Sequence, residues 1–144
     1  MVSRRVSGVL FGLGVSVILV AGCIRRPYSL EPTGIKSYDF LLQKSLRSRK
    51  PMLIIISASW CGACQTMQAD LLQPGPMRAL ENTVPYKIDF DSPKTKELRK
   101  RFYGGKGVPE LILVSSEGRE LKRQAGWANG EVFVEWLRTG IKSK

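Results

Sequence analysis

Two cysteines three residues apart, Cys61 and Cys64, carry the clearest chemical possibility in this chain. A thiolate is the reacting form of cysteine, and paired thiols can attack a disulfide and then resolve the mixed disulfide that forms. If Cys61 stands at the start of a helix, unpaired backbone N–H groups and the positive end of the helix dipole favour its thiolate. Cys61 is then the attacking nucleophile, and Cys64, one turn further in, is the resolving thiol. Gly62 and Ala63 between them have no bulk to block a partner. The competing reading is a structural bond or two inert thiols. A bond that closes only four residues removes little chain entropy, so the pair is a poor staple, and the redox reading is preferred.

Composition narrows the alternatives. The chain has 144 residues, no histidine and three cysteines. Without histidine there is no Ser-His-Asp triad, no Cys-His protease and no His-ligated metal. A structural zinc site would lack one of its usual four ligands, so no metal is expected. The length suits one small domain with a tail. Asp70 and Asp89 show no paired-carboxylate pattern.

The elements around the cysteines follow from periodicity. Residues 35–50 carry Ile35, Phe40, Leu41, Leu42 and Leu46 among polar residues, as an amphipathic helix does. Pro51 ends it, and Met52 to Ile56 is an apolar run that suits a strand buried on both faces. Trp60-Cys61-Gly62-Ala63-Cys64 follows, opening a helix to about Leu72. Gln73-Pro74-Gly75-Pro76 breaks that helix, and Met77 to Glu81 adds a short helical turn. Val84 to Phe90 reads as a strand, and Ser92-Pro93 starts a helix to about Phe102. After a glycine-rich loop, Leu111 to Val114 and Glu120 to Ala125 form a hairpin. Asn129 caps a last helix with Val132, Phe133, Trp136 and Leu137 on one face. The expected architecture is an α/β fold, a three-layer α/β/α sandwich with a central mixed sheet.

The N-terminus reads differently. Arg4 and Arg5 precede Val6 to Gly22, a run without charge that ends in Val20-Ala21-Gly22-Cys23. This is the pattern of an export signal over residues 1–22. Its last four residues resemble the bacterial lipobox, in which the cysteine, here Cys23, becomes the lipidated N-terminus. An uncleaved anchor and simple secretion are the alternatives. The run spans about 25 Å as a helix, short of a hydrocarbon core of about 30 Å. Residues 23–34 then form the lipidated cysteine and a linker, and 35–144 the folded domain.

WCGAC after an apolar strand, Val108-Pro109 opening a later strand, and Gly126 after the hairpin together resemble the thioredoxin fold. The resemblance spans roughly residues 35–141. It extends to the C-terminal thioredoxin-like domain of the thiol:disulfide interchange protein DsbD, through the long segment after the CxxC helix, Leu71 to Asn82. The resemblance implies a cis Pro109 against the two sulfurs and a Val108 backbone that pairs with an extended client. It also implies that Trp60 and Gly126 border the site. Thioredoxins carry a buried aspartate where this chain has Ile55, and Lys87 matches the lysine that accompanies it. Glu110 and Lys87 are therefore the candidates for adjusting proton transfer at Cys64, the alternative for Glu110 being a solvent-facing side chain. Trp127, beside Gly126, is a candidate to flank the substrate groove.

The functional expectation is a membrane-tethered thiol:disulfide oxidoreductase facing the periplasm of a bacterial envelope. It needs no bound cofactor, because electrons travel on Cys61 and Cys64. CGAC lacks the histidine of an oxidase centre, which favours a reductant or electron carrier. Its partners are protein thiols and disulfides and, by the resemblance, a membrane electron donor of DsbD type. A non-catalytic binding scaffold and a disulfide isomerase are the alternatives. An isomerase would usually need a dimer, and a monomer is expected. The formal charge is +11, from 23 Lys and Arg against 12 Asp and Glu. Six of those cations lie between Lys94 and Lys106. In an exported domain they read as a solvated face or as steering toward an anionic membrane or acidic partner, with no nucleic acid expected.

Overall fold

The computed structural model describes residues 33–143. The segment expected to be an export signal, the expected lipidation site Cys23 and most of the expected linker lie outside the described residues.

The strands build from the middle outward. β1 (Met52–Ser57) is buried at every position, as its unbroken apolar run requires. β2 (Val84–Asp89) alternates buried and exposed, the pattern of an edge strand with one wet face. β3 (Glu110–Val114) is wholly buried, and β4 (Glu120–Ala125) closes the other edge. The sheet order is β2-β1-β3-β4. β1 is parallel to β2 and antiparallel to β3, and β3 is antiparallel to β4, so the sheet is mixed.

Helices cover both faces. α1 (Lys36–Ser48) and α4 (Lys96–Phe102) cover one. There Tyr38, Leu42, Leu98 and Phe102 meet Met52, Ile54 and Ile56. α2 (Gly62–Leu71) and α5 (Gly130–Lys142) cover the other. There Met67, Phe133, Trp136 and Leu137 meet Leu53, Ile55, Leu111 and Leu113. Burying each such side chain contributes about 1.5–3 kcal/mol. These layers form the α/β/α sandwich expected from the sequence.

Three local differences have physical reasons. Pro74-Gly75-Pro76 does not merely break a helix. It begins α3 (Pro74–Leu80), with Gln73 as the preceding cap residue. The first N–H groups of a helix have no intrahelical partner, so proline costs nothing there. The segment expected as one helix from Pro93 starts as a 3₁₀ turn over Pro93–Thr95 before α4. Phe40, Leu46 and Val132, placed on apolar faces by periodicity, are exposed; Tyr38 and Ser45 instead sit inward on α1.

α5 carries the expected cap, with the Val132 N–H donating to Asn129 Oδ1 at 2.9 Å. Its start packs closely on α3. A β-carbon on Gly130 would stand 2.9 Å from the Pro76 ring, so only glycine fits that crossing without a shift.

Candidate active site

β1 ends at Ser57, and four residues later Cys61 caps α2. Its extended backbone (φ −90°, ψ 110°) aims the sulfur at the open end of the helix. The Cys64 N–H donates to Cys61 Sγ at 3.1 Å. Cys61 and Cys64 are disulfide-bonded, with Cα atoms 5.2 Å apart, inside the usual range for such a bond. Cys61 is 7% exposed and Cys64 fully buried. An incoming group therefore meets Cys61 first. In the reduced state the same Cys64 N–H and the helix dipole would hold a thiolate on Cys61.

The Val108-Pro109 bond is cis. The Val108 carbonyl oxygen lies 3.5 Å from Cys61 Sγ, and Val108, Ala58 and Phe90 pack around the two cysteines. Gly126, at φ +80°, donates its N–H to the Pro109 carbonyl at 2.7 Å. β4 thus pins the cis-proline from behind. Gly62 and Ala63 are both exposed, and no atom lies within 4 Å of where a β-carbon on Gly62 would stand. The surface beside the disulfide is open.

Trp60 is 65% exposed. Its indole N–H donates to Asp91 Oδ2 at 2.7 Å, and its ring meets Phe90 edge-on. Phe90 in turn meets Tyr103 edge-on. The Arg99 guanidinium lies 4.7 Å over the Phe90 ring and donates to the Phe90 carbonyl. Arg99, counted in the sequence with a solvated basic stretch, is half-buried and braces this aromatic row. Phe90, Asp91, Arg99 and Tyr103 were not singled out from sequence. The usable signal was topological: Phe90 follows β2 at the same sheet end as the cysteines, because β1 and β2 are parallel.

The two proton-transfer candidates sit elsewhere. Lys87 is exposed on β2, beside Ile55 in the strand register. Glu110 is fully buried, so the solvent-facing alternative does not hold. Arg123 Nη1 donates to Glu110 Oε1 at 2.5 Å, and the Gly104 N–H donates to its other oxygen at 2.8 Å. Arg123 also donates to the Phe102 carbonyl at 2.9 Å and pairs with Glu120. Alternation along β3 puts Glu110 on the face of Ile112, under α1 and α4, whereas α2 lies on the other face. Among the described residues, no hydrogen bond or ion pair joins either group to a sulfur. Trp127, expected beside a groove, donates its indole N–H to Asp70 Oδ2 at 2.8 Å and packs on Phe133. It ties the end of α2 to α5.

A family model described as a thioredoxin-like domain matches residues 41–141. The chain belongs to the thioredoxin-like family. Among curated relatives, disulfide bond reductase DsbH of Chlamydia pneumoniae is 25% identical over 130 residues, covering 81% of this chain and 78% of that protein. Thiol:disulfide interchange protein DsbD of Neisseria meningitidis is 31% identical over 90 residues, 60% of this chain but only 15% of that much longer protein. The crystal structure of the reduced N. meningitidis DsbD C-terminal domain aligns with a TM-score of 0.61 at 26% identity, covering 73% of this chain and 95% of that one. A DsbH oxidoreductase structure aligns at 0.64 and 26% identity, covering 74% and 83%. The thioredoxin fold and the DsbD-like resemblance read from the sequence are thereby shown. Family and cysteine pair together make the chain a thiol:disulfide oxidoreductase of the DsbH, DsbD and thioredoxin type.

Proposed function

We propose that this thioredoxin-like protein is a reductant, tethered by a lipid on Cys23 to a bacterial membrane and facing the periplasm. Its reduced Cys61 thiolate attacks one sulfur of a client disulfide and expels the other as a thiolate, which takes a proton. Cys64 then loses its proton and attacks Cys61 Sγ. The client's second thiol leaves, and the Cys61–Cys64 bond forms. The client has gained two electrons and the protein has lost two. A membrane dithiol donor of DsbD type restores the reduced pair.

The observation that carries this reading is the asymmetry of the two sulfurs. Cys61 stands at the rim with an N–H aimed at it, and Cys64 is sealed behind it. The direction, reduction rather than oxidation, draws on the absence of histidine from the centre and on the reductase among the relatives. The exposed indole of Trp60 and the backbone at Val108 offer an extended client a surface next to the attacked bond.

Redox titration of the pair tests the exchange chemistry. A potential between about −270 and −120 mV is expected, and one well below about −300 mV would mark a structural bond instead. In cells, Cys64→Ser should trap clients as mixed disulfides on Cys61. If correctly exported Cys64→Ser traps nothing, the reading is wrong.

A further inference from the structure

At the end of the sheet remote from the disulfide lies an open cleft of about 540 Å³. Its floor is apolar: Pro51, Ala79, Val134, Leu137 and Ile141. Its walls carry five cations, Arg49, Lys50, Arg78, Arg138 and Lys142, and no acid. They come from three places that converge: the chain leaving α1, the end of α3 and the end of α5. Pro51 directly precedes β1, whose other end leads to Cys61, so about 17 Å of strand separates the cleft from the redox pair.

Cations near helix C-termini offset the negative end of the helix dipole. That accounts for Arg78 and Lys142, each in the last turn of its helix. It does not account for the absence of acid from a lining of twelve residues, nor for an apolar floor beneath the charges. On α2, α3 and α5 three basic residues stand against three acidic ones; the basic ones, Arg78, Arg138 and Lys142, all line the cleft, and the acids, Asp70, Glu131 and Glu135, all lie outside it. Glu135 pairs with Arg138 from outside the lining, and Lys50 donates to the Glu81 carbonyl at 2.7 Å. These contacts hold two of the cations at the rim.

We propose that this cleft binds a phosphate group that carries an apolar chain, the chemistry of an anionic phospholipid headgroup. Arg78 and Lys142 meet the phosphate, since guanidinium and ammonium groups are its usual partners. The floor of Val134, Leu137 and Ile141 takes the first carbons beyond it. Occupied by membrane lipid, the cleft would turn the disulfide end of the sheet away from the bilayer, toward clients. That consequence rests on the tether proposed above, but binding itself does not.

Isotope-labelled full-length chain in non-ionic detergent micelles tests it. Amide shifts are followed against phosphatidylglycerol, phosphatidylcholine at the same mole fraction, and inorganic phosphate. Saturable shifts at Arg49, Lys50, Arg78, Ala79 and Lys142 with phosphatidylglycerol, and none there with phosphatidylcholine, are expected. Tighter binding of phosphatidylglycerol than of inorganic phosphate identifies a lipid as the source; equal binding would show that the apolar floor adds nothing and would overturn the lipid assignment. Equal shifts with both lipids, or no shift at these amides with either anion, would overturn the site. The surface variant Arg78→Glu/Lys142→Glu should weaken binding roughly tenfold or more, with the rate of disulfide reduction by dithiothreitol unchanged. Undiminished binding by that variant would also overturn it. A chain that binds phosphatidylglycerol but is not lipidated in cells would remove the tether and keep the cleft.

Discussion

Glu110 shows how a buried carboxylate directly after the cis-proline can tie together the segments that surround it. Its carboxylate holds Arg123 from β4 and the Gly104 N–H from the loop before the cis-proline. Arg123 continues to the Phe102 carbonyl at the end of α4. The loop, the helix end and two strands therefore meet at one carboxylate directly after Pro109. A β-carbon on Gly104 would stand 2.6 Å from that carboxylate, so any larger residue there must push the Glu110–Arg123 pair aside. Breaking a buried pair by removing one partner costs about 3–5 kcal/mol, because the other charge is left unpaired. Arg123→Met should lower stability by about that much in denaturant titration. Glu110→Gln keeps the shape and the Gly104 contact, and should cost less. Glu110→Gln should also leave the pH profile of disulfide reduction where it was. A displaced profile would return Glu110 to the proton-transfer role.

At the scale of elements, the parallel pairing of β1 with β2 brings Ser57 and Asp89 to one end. The cysteine helix and the Phe90–Asp91 segment consequently leave the sheet side by side. The sequence made the strands legible, because their apolar runs are continuous or alternate cleanly. It also made the cysteine helix legible. It did not reveal the aromatic row, since Phe90 and Arg99 are nine residues apart and meet only through the turn at Pro93–Thr95. Periodicity misplaced Phe40 for a related reason. It weighs apolar character, whereas α1 turns Tyr38 and Leu42 inward. Tyr38 lies edge-on to Tyr86 under α1. Burial pushes its phenol above the usual value of 10.0, although the neighbouring Arg101 pulls the other way. The folded state thus holds the phenol proton more tightly than the unfolded chain does. Its contribution is complete below pH 10 and is lost as pH climbs through the raised value. Tyr38→Phe should therefore fall off less steeply than the parent chain in unfolding experiments run from pH 9 to 11. Parallel curves would show that another group governs the alkaline limit.

For the whole molecule, the charge pattern and the proposed tether bear on the same question, which is where the disulfide points. Arg25, Arg26 and the lipobox-like VAGC precede the described domain. From Cys23 to Thr33 the chain can span at most about 33–36 Å, so a lipid on Cys23 would keep the domain within one domain diameter of the bilayer. At that distance clients and a membrane electron donor are encountered in two dimensions, and effective concentration replaces tight docking. This predicts a separation of functions. Cys23→Ala should leave dithiothreitol-dependent disulfide reduction by the purified protein unchanged, because the exchange runs on Cys61 and Cys64 and the groups found around them belong to the described domain. In cells, the same variant should lose palmitate labelling and leave the membrane fraction, and re-reduction of Cys61–Cys64 by a membrane donor should slow. The thiol state of the pair, read by alkylation in intact cells, measures that rate. A Cys23→Ala chain that stays in the membrane fraction and is as fully reduced as the parent would show that the apolar run of residues 6–22, rather than a lipid, holds the protein in place.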